Sequence, residues 1–265
     1  MKKIGKIISV NMQKGGCGKS TTVQALAGCL TDSGYKCLVI DLDPQGNLSF
    51  SSEVKKSNWT IYELLKDECK FEDAVQLNKY YDIIPSSFKL SSADQEFNEN
   101  RLREVLRKKK RMYDFILLDT PPSLGVLSRS SLVAADYTII PVIQSFYIYQ
   151  DLNQLIETIH SVQVNYNRNL KILGMLFIKY TEKAAIYRLL SVLLRKTAQQ
   201  MDIPVFDQYI RECAAISMAQ GMQKNILECD YNSKASYDYL AFTTDMLDWL
   251  ESDIYQRLEV KKAIG

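Results

Sequence analysis

Lys14-Gly15-Gly16-Cys17-Gly18-Lys19-Ser20-Thr21-Thr22 stands between an apolar run (Ile4, Ile7, Ile8, Val10) and a helical pattern carried by Val23, Leu26, Ala27 and Leu30. The order strand, glycine-rich loop, helix binds phosphate. Glycines lack the β-carbon that would hold an anion off the backbone, so consecutive N–H groups turn inward while the next helix points its positive end at the charge. The cradle runs from Gly15 through Gly16, Cys17, Gly18, Lys19 and Ser20 to Thr21. Within it Lys19 neutralises phosphate and Ser20 is placed to hold Mg²⁺. In the general pattern G-x-x-x-x-G-K-[ST] the first glycine would fall at Gln13; here Lys14 precedes the glycine pair instead, so the loop has a lysine at each end.

Outward from this loop, apolar clusters alternate with helical patterns, as β-α units on a mainly parallel sheet do. The expected class is α/β: a three-layer, mostly parallel twisted sheet with helices on both faces, in one domain over residues 1–265. The first helix should run from Lys19 to Asp32 and stop at Ser33-Gly34. Residues 36–40 are the next buried strand, ending in Asp41-Leu42-Asp43-Pro44-Gln45-Gly46-Asn47. That places two carboxylates and two amides where open α/β sheets bind ligands. Short helices are expected at 60–66 and 71–77, a strand at 81–85 and a helix over 93–110. Residues 115–118 are apolar and run into Asp119, a Walker-B-type strand that delivers a carboxylate beside the phosphates to hold Mg²⁺ through its water shell. The loop 120–125 suits a segment that senses the γ-phosphate. Beyond it we expect a strand at 137–142, a helix at 146–165, a strand at 172–178, a helix at 183–199, a strand near Val205 and a terminal helix at 234–258.

Other features restrict the function. A chain of 265 residues that is 46% hydrophobic can bury a sizeable core, and its net charge of +2 neither requires nor forbids an anionic partner. No window reaches the roughly 20 apolar residues of a membrane span, and Lys2-Lys3 lead into a strand, so a soluble, cytoplasmic protein is expected. Six cysteines lack C-x-x-C spacing, which favours neither zinc nor disulfides. His160, the sole histidine, lies on a helix far in sequence from the phosphate motifs, and no triad can be assembled. The run Arg107-Lys108-Lys109-Lys110-Arg111 reads as cations at a helix end on a solvated face. Between Lys171 and Lys224 eight Lys/Arg face four Asp/Glu, a mild basic excess compatible with phosphate-backbone contact. Leu247, Leu250, Ile254 and Leu258 recur at helical steps before Lys261-Lys262. This suits a terminal helix packed on its own domain better than one on a membrane surface.

Residues 11–22, 41–47 (DLDPQGN) and 113–125 (YDFILLDTPPSLG) together resemble the ParA/Soj partition ATPases, in the deviant-Walker group that also contains MinD and the nitrogenase iron protein. The likeness spans nearly the whole chain, and DPQGN favours ParA over MinD. It implies a short, Soj-like form without an N-terminal helix-turn-helix domain. It also implies ATP and Mg²⁺ as cofactors, Lys19 on the β and γ phosphates, and Lys14 reaching across a nucleotide-sandwich homodimer to the partner's phosphates. Asp43 would position the attacking water, and Ser20, Asp41 and Asp119 would serve the magnesium shell. Implied partners are non-specific DNA on the nucleoid and a ParB-like centromere-binding protein whose short basic tail stimulates slow hydrolysis. Arg211 is the leading DNA candidate, followed by Arg188, Arg195 and Lys196. Residues 210–221 read IRECAAISMAQG where the family carries an arginine-leucine-serine-glutamate-alanine-proline run. Alternatives within the superfamily are a MinD-like membrane-cycling regulator and positioning of a cargo other than DNA. The iron-sulfur reductase lacks its paired cysteines here, and a tyrosine kinase its tyrosine-rich tail.

Overall fold

The computed structural model describes residues 5–55 and 57–264, with side chains as far as Asp253 in the last helix. Among these residues one sheet takes β1 (Lys6–Val10), β2 (Cys37–Asp41), β3 (Gln76–Leu77), β4 (Asp82–Ile84), β5 (Phe115–Asp119), β6 (Tyr137–Val142), β7 (Lys171–Tyr180) and β8 (Val205–Arg211). Their order is β3-β4-β2-β5-β1-β6-β7-β8, and all pair in parallel except the short edge strand β3, antiparallel to β4. The connections carry α1 (Lys19–Asp32), α2 (Asn47–Ser51), α3 (Ile61–Leu65), α4 (Phe71–Ala74), α5 (Ala93–Glu96) and α6 (Arg101–Arg107). They continue with α7 (Val126–Ala134), α8 (Ile148–Asn165), α9 (Ala185–Gln200), α10 (Ala214–Gly221), α11 (Ile226–Cys229) and α12 (Lys234–Ile264).

A parallel sheet must be covered on both faces, which is why its strands read as continuous apolar runs. Phe115, Ile116, Leu117 and Leu118 have no exposed surface. Alternate residues feed two cores. Ile116 and Leu118 join Leu38, Ile40 and Phe177 under Leu102, Leu132, Leu155 and Leu194 of α6 to α9. Phe115 and Leu117 join Val39, Ile139 and Ile178 under Leu26 and Leu30 of α1 and Tyr239 and Phe242 of α12. The sequence-based architecture is the one observed.

Register positions the site. Val10 pairs with Asp119, and Asp41 pairs with the same Asp119, so β1, β5 and β2 end level with one another. The Thr120 hydroxyl donates to the Val10 carbonyl at 2.7 Å and ties these ends together.

Some elements differ from expectation. The helix read over 93–110 is broken into α5 and α6. Asp94 is drawn away to accept the Val126 N–H at 2.5 Å, Glu99 pairs with Arg129 at 3.1 Å, and Asn98 accepts the Asn100 N–H at 3.0 Å, a local turn that competes with the helix. The helix read over 71–77 ends at Ala74, and Gln76-Leu77 become β3. In α12, Met246 and Leu250 are buried and Leu247 packs partly against the core; the side chains of Ile254, Leu258, Lys261 and Lys262 lie beyond those described, and Lys2, Lys3 and Ile4 lie outside the described residues.

Candidate nucleotide site

The loop between β1 and α1 is shaped by backbone that other residues resist. Gly16 has φ +76° and Gly18 +70°, in the left-handed region that costs an L side chain about 1–2 kcal/mol. At Gly18, the N-cap of α1, a Cβ would also stand 3.0 Å from Ile178 Cγ2. Gly15 and Gly16 face open space on their Cβ side, so an anion can reach the backbone. Cys17 is fully buried and its thiol faces the core, so it offers only its main chain. Burial pushes that thiol up in pKa.

The loop floors a cleft of about 490 Å³. From the expected residues, Gly15, Gly16, Gly18, Lys19, Ser20, Thr21 and Asp43 line it. Sequence reasoning missed Phe50, Ser51, Gln220 and Gly221, which also line it. Gln220 Nε2 donates to Thr21 Oγ1 at 2.9 Å, fixing α10 over the first turn of α1. No signal at residue 220 points to the loop, because the contact spans 199 positions.

The two lysines behave differently. Lys19 is buried, and among the described residues its Nζ donates only a long bond of 3.5 Å to the Lys14 carbonyl. Burial lowers its pKa, while Asp119 and Asp43 favour its charge. Lys14, half-buried, turns away from the cleft instead. Its Nζ donates to Ser145 Oγ at 3.0 Å and lies 5.5 Å from the centre of the Tyr147 ring, and it is not part of the cleft lining.

The carboxylates also separate by environment. Asp41 is fully buried and organises its loop: it accepts the Asp43 N–H at 3.1 Å, the Ser49 N–H at 2.8 Å and the Ser49 hydroxyl at 2.7 Å. Burial outweighs these bonds and pushes its pKa up to about 6. Asp43, at the cleft wall, accepts the Gln45 N–H at 3.0 Å. Asp119 is fully buried, and neither carboxylate oxygen has a hydrogen-bond partner of ordinary geometry among the described residues. Burial and then the Asp41 charge raise its pKa, and Ser20 and Lys19 pull it partly back. An uncompensated buried carboxylate is costly unless a cation completes it. Two orphaned oxygens beside Ser20 in an oxygen-rich donor set fit a hard divalent cation such as Mg²⁺.

The four basic residues read as a DNA surface differ in how they are engaged. The Arg211 guanidinium is engaged by Asp238, with Nε at 2.9 Å from Oδ2 and Nη2 at 2.6 Å from Oδ1. Arg188 Nη1 donates to the Glu182 carbonyl at 2.7 Å, and Arg195 lies over the Phe177 ring. Lys196 is exposed, about two turns along α9 from Arg188.

Residues 5–172 match the family described as AAA domain. The chromosome partitioning protein ParA of Myxococcus xanthus is 32% identical over 253 residues, covering 92% of this chain and 88% of that protein. The sporulation initiation inhibitor protein Soj of Bacillus subtilis is 37% identical over 182 residues, 65% of this chain and 72% of that protein. Among solved structures, cobyrinic acid a,c-diamide synthase from Mycobacterium smegmatis with bound ADP and magnesium superposes with a TM-score of 0.81 at 28% identity, covering 94% of this chain and 96% of that one.

Proposed function

From the premise that this chain belongs to the ParA/Soj family of AAA-domain ATPases, we propose that it is an ATP-dependent dimerising switch that holds non-specific DNA and is released by hydrolysis. The observation that carries this reading is the separation of the two lysines: Lys19 lines the cleft, and Lys14 is held away from it on Ser145 and Tyr147. Phe146 is 57% exposed and Tyr147 80% beside it, an apolar rim suited to a second subunit. A cation supplied by the partner would complete charge stabilisation only in the dimer, which makes assembly and hydrolysis one event.

In this reading the whole chain, residues 1–265, is one ATPase unit. Lys19 and the N–H groups of 15–21 bind the phosphates, and Asp43 orients the attacking water. Ser20 and Asp119 would hold Mg²⁺, with Asp41 fixing the loop behind them; when bound, the ion supplies positive charge at the phosphate oxygens. The protein would act in the cytoplasm on the nucleoid, with a ParB-like partner stimulating hydrolysis and a plasmid, chromosome origin or mobile element as cargo. Arg211, Arg188, Arg195 and Lys196 stay DNA candidates, Arg211 only once it leaves Asp238.

Sedimentation velocity and retention of a random duplex, each with ATP, ADP and no nucleotide, test the proposal. The expected result is a dimer and duplex retention with ATP alone, both lost in Lys19→Ala. A monomer in every state sinks the reading.

A further inference from the structure

The run 107–111 divides into two roles. Helix α6 ends at Arg107 with Lys108 as its C-cap, and a 3₁₀ turn over Lys110–Met112 leads into β5, so the run spans the ends of two short helices. Lys110 Nζ lies 2.6 Å from Asp136, whose other oxygen accepts the Ile7 N–H at 2.8 Å, and Lys109 pairs with Glu72. These two lysines fasten the run to the sheet. Arg107, Lys108 and Arg111 are exposed and make no ion pair or hydrogen bond among the described residues.

Nearby contacts extend this charge. Arg103, four residues before Arg107 and therefore on its face of the helix, donates through Nη1 to the Tyr166 carbonyl at 2.8 Å. The exposed Arg168 follows Tyr166 by two residues. The nearest exposed acid on α6, Glu104, is 3.5 Å from Arg101. The surface sits at the amino ends of the strands, about 17 Å along β5 from the nucleotide cleft.

We propose that Arg107, Lys108 and Arg111, with Arg168 beside them, form a surface that binds the phosphate backbone of duplex DNA on the face opposite the nucleotide. This rests on the reading of the chain as a DNA-bound switch. Guanidinium forks match phosphodiester oxygens bidentately, and such contacts carry no sequence preference. A lipid surface fits less well, because it needs apolar side chains among the bases. Here the run itself exposes only Met112, whereas Phe146, Tyr147, Ile186 and Leu189 are exposed after the carboxyl ends of β6 and β7.

The test is a salt titration of duplex binding with ATP for wild type, Arg107→Ala/Lys108→Ala/Arg111→Ala and the charge-keeping Arg107→Lys/Arg111→Lys. Three lost phosphate contacts reduce the slope of log K against log salt by about 2.7 and weaken duplexes of different sequence equally. Nucleotide affinity and thermal midpoint should stay at wild-type values, and the lysine variant should keep the wild-type slope. If wild type binds and the triple variant has the same slope, the surface is wrong while the DNA reading stands. If wild type retains no duplex in any nucleotide state, both fall. Pelleting with phosphatidylglycerol vesicles that the triple variant loses, with duplex binding intact, would reassign the surface to lipid.

Discussion

Asp41 is a carboxyl placed where water cannot reach it, and its titration follows from that burial. Burial raises it from 3.8 to about 6, despite three hydrogen bonds that favour the ionised form. Because the folded state holds the proton longer than the unfolded chain, the associated stability is full below the unfolded value and is lost as pH rises through about 6. Two pKa units correspond to about 3 kcal/mol. Asp41→Asn has no such proton to lose, so without nucleotide or Mg²⁺ its stability relative to wild type should climb by about 2 kcal/mol between about pH 4.5 and 7.5. The variant also removes the charge that helps raise Asp119, which adds to the same sign. Calorimetry across that range measures the difference, and a flat difference contradicts this account of the buried carboxylate.

At the scale of elements, the junction of loop and helix is the most constrained part of the chain. Gly18→Ala forces a Cβ into φ +70° and against Ile178. It should cost about 1–2 kcal/mol of stability and weaken nucleotide binding, because the N–H groups it displaces are those that meet phosphate. Unchanged urea midpoint and unchanged affinity would show that the loop relaxes freely. This junction was also the most legible: α1 spans Lys19–Asp32 as its apolar spacing and the Ser33-Gly34 stop dictate. Asp41 and Asp119 were equally readable, since each ends a contiguous apolar strand. The break between α5 and α6 was not, because Asp94 and Glu99 are claimed by α7, a tertiary demand that outweighs local propensity. Phe50 and Gln220 escaped for the same reason, as did the pairing of Arg211, whose partner lies 27 residues away.

For the whole molecule, the decisive fact is that the strand order sets β2, β5 and β1 side by side, so Asp41, Asp119 and the loop after Val10 meet at one end of the sheet. The unpaired bases of 107–111 lie at the other end. The proposed dimerisation can be measured through Lys14. If it acts on the partner's nucleotide, a Lys14→Ala subunit keeps its own Lys19 and Asp43 and needs only a lysine from its neighbour. An Asp43→Ala subunit can provide that lysine although its own site cannot hydrolyse. Each variant alone should be inactive, but an equimolar mixture should regain about a quarter of wild-type ATPase activity, since half the dimers are mixed and each has one complete site of two. If Lys14 serves its own subunit, the mixture stays inactive, because every site then lacks either Lys14 or Asp43.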